Sequence, residues 1–167
     1  MSEYCVVVAD AGRARLFTLE AARDPETESG PRLVERKGFV NPEKSLPDHE
    51  VSSDAKSMRS RNPQGGSAHG YDDHRAAHEL EVERRFAKQV AREAEILARA
   101  EQAGTVILAA QSHMTGHLRR ELEGFAKAGL TLRELAASVS KLTPSDIQEH
   151  LVKAGLLPPC RRPTGRA

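Results

Sequence analysis

Three cations lie close together in the middle of the chain, in a stretch rich in glycine and proline. These are Lys56, Arg59 and Arg61, and no acidic residue occurs between Asp54 and Asp72. Each cation could neutralise one phosphate of an RNA backbone, because such contacts depend on charge rather than on base sequence. The alternative is that the charges only keep an exposed loop in solution. We predict an RNA contact here and keep both interpretations open.

Histidines form a second cluster. His74 and His78 are four residues apart at the start of a predicted helix, so both side chains point to one face. Such a pair could provide two ligands for a zinc ion. No cysteine or further ligand motif completes the set, and a pair of surface histidines explains the pattern better. We therefore predict no metal and no other cofactor.

A third group of polar residues follows two predicted buried strands. Asp10 ends the first strand, and Gln111, Ser112, His113 and His117 follow the second. Because ligands gather at the carboxyl ends of parallel strands, these residues could line a shallow pocket. A nuclease that uses two metal ions needs several converging carboxylates, and only one is evident here. No nucleophile with its base is visible either, so we predict no catalytic role for this group.

The elements that position these groups follow from the pattern of apolar residues. Continuous apolar runs predict strands at residues 4–9 and 105–110 that are buried on both faces. Residues 14–20 follow a turn signal and predict a hairpin with the first strand. Alternation predicts a third strand at residues 32–40. Residues 41–71 lose all periodicity and predict a long flexible loop.

The second half of the chain alternates between helices and strands. We predict a long helix from Asp72-Asp73 to about Gln102, a helix at residues 115–127 and a helix that begins at Thr143-Pro144. Residues 132–139 favour a helix by composition, but their place after a helix and Gly129 favours a strand, which we predict in their C-terminal half. The order β-β-β-α-β-α-β-α predicts an α/β fold with a ribonuclease-H-like mixed sheet and helices on both faces. Residues 1–158 are predicted to be a single domain, and residues 159–167 a disordered tail.

Composition narrows the choice of partners and compartment. The chain has 167 residues, and its 25 basic and 24 acidic residues leave a net charge of +1. No global field therefore draws it to DNA or to a membrane. No apolar run approaches the ~20 residues that span a bilayer, and no signal peptide is evident. We predict a cytoplasmic protein without a DNA or membrane partner; its oligomeric state is left open.

Four segments, taken in order, resemble a bacterial family known as proteins required for attachment to host cells. They are residues 6–17 (VVVADAGRARLF), Val40-Asn41-Pro42-Glu43, Phe86-Ala87 with Val90-Ala91, and Gly116 with Leu118-Arg119. No single segment is specific, but their order along nearly the whole chain supports the resemblance. The name of the family implies a role, direct or indirect, in attachment of a bacterium to its host.

That family is similar in turn to the middle domain of archaeal and eukaryotic peptide-chain release factors. Those domains place a Gly-Gly-Gln loop before a long helix, and this chain has Gln64-Gly65-Gly66-Ser67 before its own. The resemblance implies a domain that associates with the ribosome or with tRNA. It also implies an alternative, peptidyl-tRNA hydrolysis, with Gln64, Gly65, Gly66 and Ser67 as the catalytic residues. Because Ser67 replaces the glutamine, we favour a binding domain over an enzyme.

Overall fold

The fold is taken from a computed structural model, which describes residues 1–45 and 69–163, except for the side chains of residues 45 and 69–72. The strands in these ranges are β1 (Tyr4–Ala9), β2 (Arg13–Glu20), β3 (Arg32–Val40), β4 (Thr105–Ala110) and β5 (Thr131–Ala136). The helices are α1 (Pro42–Ser45), α2 (His69–Glu101), α3 (Ser112–Glu121), α4 (Glu123–Lys127) and α5 (Pro144–Lys153).

The strands form one five-stranded sheet in the order β3-β2-β1-β4-β5. The first three strands pair antiparallel, whereas β4 lies parallel to both β1 and β5. The two apolar runs of the sequence, β1 and β4, occupy the centre, where side chains are covered on both faces. The predictions of an α/β fold and of a mixed sheet are therefore confirmed.

Helices cover both faces of the sheet. Successive residues of β1 point to opposite sides, so Val7 packs under α2 and α3 whereas Val6 and Val8 pack under α5. Cys5 shares the side of Val7, and burial, with a smaller effect of the Glu101 charge, raises the pKa of its thiol to about 12. Cys5 is thus part of the core rather than a reactive group.

Helix α2 begins earlier than its sequence suggests. We predicted a start at Asp72-Asp73, whereas the helix already begins at His69. Two aspartates are tolerated in its first turns because their charge complements the amino end of the helix dipole. Residues 73–81 are all exposed, and Val82 is the first buried side chain among the described residues of the helix. The amino-terminal turns of α2 therefore extend past the core.

Two predicted elements differ in detail. The helix predicted at 115–127 begins at Ser112 and is interrupted at Leu122, a buried residue that lies between α3 and α4. The last strand begins at Thr131, earlier than the C-terminal half of residues 132–139 that we favoured. Its residues prefer a helix on their own, but Thr131 lies beside Thr105 and the whole strand pairs with β4. Tertiary pairing thus overrides local propensity.

Helix α5 begins as predicted and also protects the edge of the sheet. The Thr143 hydroxyl accepts a hydrogen bond from the Asp146 N–H, and Pro144 occupies the first turn. Gln148, on the same helix, accepts the Leu33 N–H at 2.9 Å and donates to the Pro31 carbonyl at 2.7 Å. A helix side chain therefore satisfies backbone groups at the start of the outer strand β3.

The carboxyl-terminal residues return to the segment before β3. Arg161 and Gly30 exchange two backbone hydrogen bonds, of 2.7 and 3.0 Å. The predicted disorder of the tail stays a prediction for residues 164–167, which lie outside the described residues. None of the helices in the described ranges is both long enough and apolar enough to cross a bilayer.

Candidate functional site

The carboxyl ends of the three parallel strands lie level with one another. Ala9 of β1 is opposite Ala110 of β4, and Ala110 is opposite Ala136 of β5. The residues that follow these strands therefore share one edge of the sheet, which we call the carboxyl edge. Ligands of α/β proteins gather at this kind of edge, so it is the first place to look for a site.

Asp10 is the central residue of the carboxyl edge. One of its carboxylate oxygens accepts the Gly12 N–H at 2.8 Å and so closes the turn between β1 and β2. The other accepts a hydrogen bond from the hydroxyl of Ser140, which is buried in the connection after β5. The carboxylate thus joins the first turn to the last connection. This geometry suits a residue that positions loops around the edge.

Arg15 holds the same connection from the neighbouring strand. Its guanidinium donates to the backbone carbonyls of Ser140 at 3.1 Å and of Leu142 at 2.6 Å. It also makes a two-pronged ion pair with Glu35 of β3, at 3.0 and 2.7 Å. The guanidinium carbon lies 5.0 Å from the centre of the Phe17 ring. Through these five interactions, Arg15 holds the connection after β5 in contact with β2 and β3.

Asn41 attaches the end of β3 to the same turn. Its side chain is 3% exposed, and its amide donates to the Ala11 carbonyl at 3.0 Å. Its backbone N–H donates to the Gly12 carbonyl at 2.8 Å, and its side-chain oxygen accepts the Glu43 N–H at 3.2 Å. Two of the four segments that carried the resemblance, residues 6–17 and 40–43, are thus in direct contact.

The other predicted pocket residues lie at or near the carboxyl edge, in the first turns of α3. Gln111, Ser112 and His113 are exposed at the start of α3, directly after β4. The Gln111 carbonyl accepts both the N–H and the hydroxyl of Thr115, which fixes the first turn of the helix. His117 is half-buried one turn further along. The structure thus brings Asp10, Gln111, Ser112 and His113 to one edge, whereas His117 lies farther down the helix.

The predicted histidine pair lies elsewhere. His74 and His78 are exposed on the extension of α2 beyond the core. Among the residues whose side chains the structure describes, no group of three or more histidine, cysteine, aspartate or glutamate residues is placed to hold a metal ion. The described carboxyl edge offers hydroxyls, amides and an imidazole, and such groups can bind a polar partner through hydrogen bonds.

The predicted cationic and glycine residues lie outside the described residues. They are Lys56, Arg59, Arg61, Gln64, Gly65, Gly66 and Ser67. What the structure does give is the position of the flanking helices. Ion pairs join α1 to α2, from Glu43 to Arg85 at 3.0 Å and from Lys44 to Glu83 at 3.9 Å. Helix α1 is therefore fixed at the carboxyl edge and against α2.

Arg119, in the last of the four segments that resemble the family, has an acidic partner. Arg119 of α3 makes two hydrogen bonds to the carboxylate of Glu134 on β5. These bonds lower the pKa of Glu134 and raise that of Arg119. The pair ties α3 to the outer strand of the sheet. The sequence alone did not reveal this partner of Arg119. It also did not reveal the contact of Ser140 with Asp10 or that of Glu35 with Arg15, because the two residues of each pair are far apart along the chain.

Comparison with known protein families gives one clear result. The model of a family described as "Protein required for attachment to host cells" matches residues 5–151. The match extends from β1 into α5, so it includes the whole sheet and the carboxyl edge. A comparison with curated proteins finds no match.

Proposed function

Because this chain belongs to the family of proteins required for attachment to host cells, we propose that it is a release-factor-like RNA-binding domain without a catalytic site. It associates with ribosomal or transfer RNA in the cytoplasm. Lys56, Arg59 and Arg61 supply the phosphate contacts, since each can neutralise one backbone charge. In the chain, this cationic stretch lies between α1 and α2.

One observation carries the proposal. The element that precedes the cationic stretch is fixed in place, because Asn41 bonds to the first turn and α1 is ion-paired to α2. The element that follows the stretch is α2, in which residues 73–81 are exposed. The carboxyl edge, where α1 lies, is also the edge at which α/β domains bind their ligands.

The topology of the sheet gives independent support. The order β3-β2-β1-β4-β5, with three antiparallel strands followed by parallel ones, is the arrangement expected of a ribonuclease-H-like domain. A release-factor-like domain of this kind would carry its RNA-directed segment before the long helix, and residues 46–68 precede α2 here. This likeness is one of fold, so the RNA contact itself has to be tested.

Cosedimentation with ribosomes at low salt tests the proposal. We expect the wild type to pellet with ribosomes and the variant Lys56→Ala/Arg59→Ala/Arg61→Ala to stay in the supernatant. A matched control is Arg23→Ala/Lys127→Ala/Lys153→Ala, which removes the same charge from exposed sites elsewhere. Equal loss in both variants would indicate nonspecific attraction, and absence of the wild type from the pellet would refute the proposal.

A hydrolase would give a different result. Purified protein that releases peptide from peptidyl-tRNA, and loses this activity in Gly65→Ala or Gly66→Ala, would replace a binding domain with an enzyme. We expect no release above the uncatalysed rate. The comparison matters because binding alone needs only charge, whereas catalysis needs groups held in a fixed geometry.

The description of the family favours a second function, an indirect contribution to attachment. Here the protein acts from the cytoplasm, and adhesion depends on what it binds there. Deletion of the gene should lower adhesion while fractionation finds the protein inside the cell. Restoration of adhesion by the Lys56→Ala/Arg59→Ala/Arg61→Ala variant would separate attachment from RNA binding.

A further inference from the structure

The face of α2 that points away from the sheet carries a row of cations. Arg84, Lys88 and Arg92 follow one another at intervals of four residues, about 6 Å apart along the helix axis. All three are exposed. We call these three residues the basic stripe. It lies on the folded body of the protein, whereas Lys56, Arg59 and Arg61 lie in residues 46–68.

Other cations of α2 have acidic partners. Arg75 is ion-paired with Glu79, Arg85 with Glu43, and Arg99 with Glu95, as are cations on other elements. None of the ion pairs among the described residues includes a member of the basic stripe. The positive charge of the stripe is therefore available to a partner.

The basic stripe also works against the stability of its own helix. Residues four apart are neighbours on a helix, so Lys88 has a like charge on both sides, at Arg84 and Arg92. Elsewhere α2 follows the opposite rule, with Glu95 and Arg99 placed four apart and paired. Violations of local consistency are expected where a surface serves function rather than folding. The repulsion within the stripe is relieved when an anion binds.

The surroundings of the stripe indicate the chemistry of its partner. Lys88 and Arg92 line a shallow groove of about 600 Å³, whose other lining residues are Arg85, Gln89, Ala91, Glu95 and Glu121. Only Ala91 in this groove is apolar. Interfaces with proteins depend on a few buried apolar or aromatic anchors, and this lining offers no pocket for one. Two carboxylates also line the groove, and one of them, Glu95, is neutralised by Arg99. A polyanion held by the cations and by hydrogen bonds fits this polar lining better than an apolar anchor.

We propose that the basic stripe binds the sugar–phosphate backbone of RNA. The inference rests on the proposed function and adds a contact on the folded body to the one in residues 46–68. Guanidinium and ammonium groups bind phosphate oxygens without reading bases, so this contact is independent of sequence. It fixes the orientation of the domain on the RNA.

Fluorescence anisotropy with a labelled single-stranded RNA, measured over a range of salt concentrations, tests the inference. The variant is Arg84→Ala/Lys88→Ala/Arg92→Ala, and the control is Arg23→Ala/Lys127→Ala/Lys153→Ala. Each phosphate contact contributes roughly 0.7 to the salt slope for a single strand, so three lost contacts lower the slope by about 2 and weaken binding about 100-fold in 0.1 M salt. The control should change neither value.

The possible outcomes separate the two proposals. If the wild type binds RNA and the stripe variant binds equally well at every salt concentration, the stripe inference fails and the proposed function stands. If the wild type binds no RNA, both fail. If the control variant loses as much RNA affinity as the stripe variant, the stripe is not a specific RNA-binding surface. Binding of polyglutamate that the stripe variant loses, with RNA binding retained, would assign the stripe to an acidic protein instead.

Folding of the variants is checked by thermal melting. The substitutions remove repulsion, so the stripe variant should melt no lower than the wild type. A loss of RNA binding by a variant that is as stable as the wild type then reports the loss of contacts with RNA rather than unfolding.

Discussion

Replacement of Asn41 by alanine is expected to destabilise the protein by about 2 kcal/mol. The residue is 3% exposed, and the contacts of its side chain include hydrogen bonds to the Ala11 carbonyl and from the Glu43 N–H. Each such bond contributes about 1 kcal/mol, and an unpaired buried partner adds to the loss. For a domain of this size, 1 kcal/mol corresponds to about 2–4 °C in melting temperature, so we expect a decrease of about 4–8 °C.

Urea denaturation followed by circular dichroism gives the free energy of unfolding for this comparison. The matched control is Gln89→Ala, which removes an exposed amide from α2. It should stay within about 0.5 kcal/mol of the wild type, as surface substitutions usually do. If Asn41→Ala were as stable as Gln89→Ala, these hydrogen bonds would not stabilise the fold, and Asn41 would not fix α1 at the carboxyl edge.

Three further predictions concern other contacts of the fold. Lys88→Glu turns two repulsive pairs, with Arg84 and with Arg92, into two attractive ones. We therefore expect a gain in stability of about 1 kcal/mol in low salt, which decreases in high salt, measured by thermal melting. Gln148→Ala leaves the Leu33 N–H and a carbonyl without partners and should lower stability by about 2 kcal/mol in urea. Arg119 lowers the pKa of Glu134, so the stability from this pair is present at neutral pH and is lost as acid protonates Glu134. Melting of Glu134→Gln should therefore depend less on pH below about 4.5 than melting of the wild type.

The sheet could be predicted well because its signals are local. Continuous apolar runs identified β1 and β4, and these strands occupy the centre of the sheet as such runs should. The start of α2 and the position of β5 were less accurate. Two aspartates resemble a helix cap whether they lie before the helix or inside its first turns. The residues of β5 favour a helix until pairing with β4 is taken into account.

The carboxyl edge could be predicted only in part. Residues that directly follow a predicted strand, such as Asp10 and Gln111, were found because the end of a strand fixes their position. Ser140 and Arg15 were missed, since the contact between them joins residues 125 positions apart along the chain. A signal was present for Arg15, which lies two residues before Phe17 on one face of β2 and within the segment that resembles the family.

The basic stripe could also have been recognised in the sequence. Its three cations at intervals of four are visible without coordinates, but α2 has charged residues on most of its exposed face. Only the structure distinguishes cations that are neutralised by Glu43 or Glu95 from those that are not. Distant partners such as Glu43, on a different element, are what a single sequence does not reveal.

The contacts of Gln148 have a consequence for behaviour at high concentration. An outer strand with free backbone groups recruits a strand from another molecule, and chains of such additions grow into fibrils. In this protein the place where an incoming strand would begin to pair with β3 is already occupied by an amide from α5. Resistance to aggregation at this edge therefore resides in a helix 115 residues away from the strand it protects.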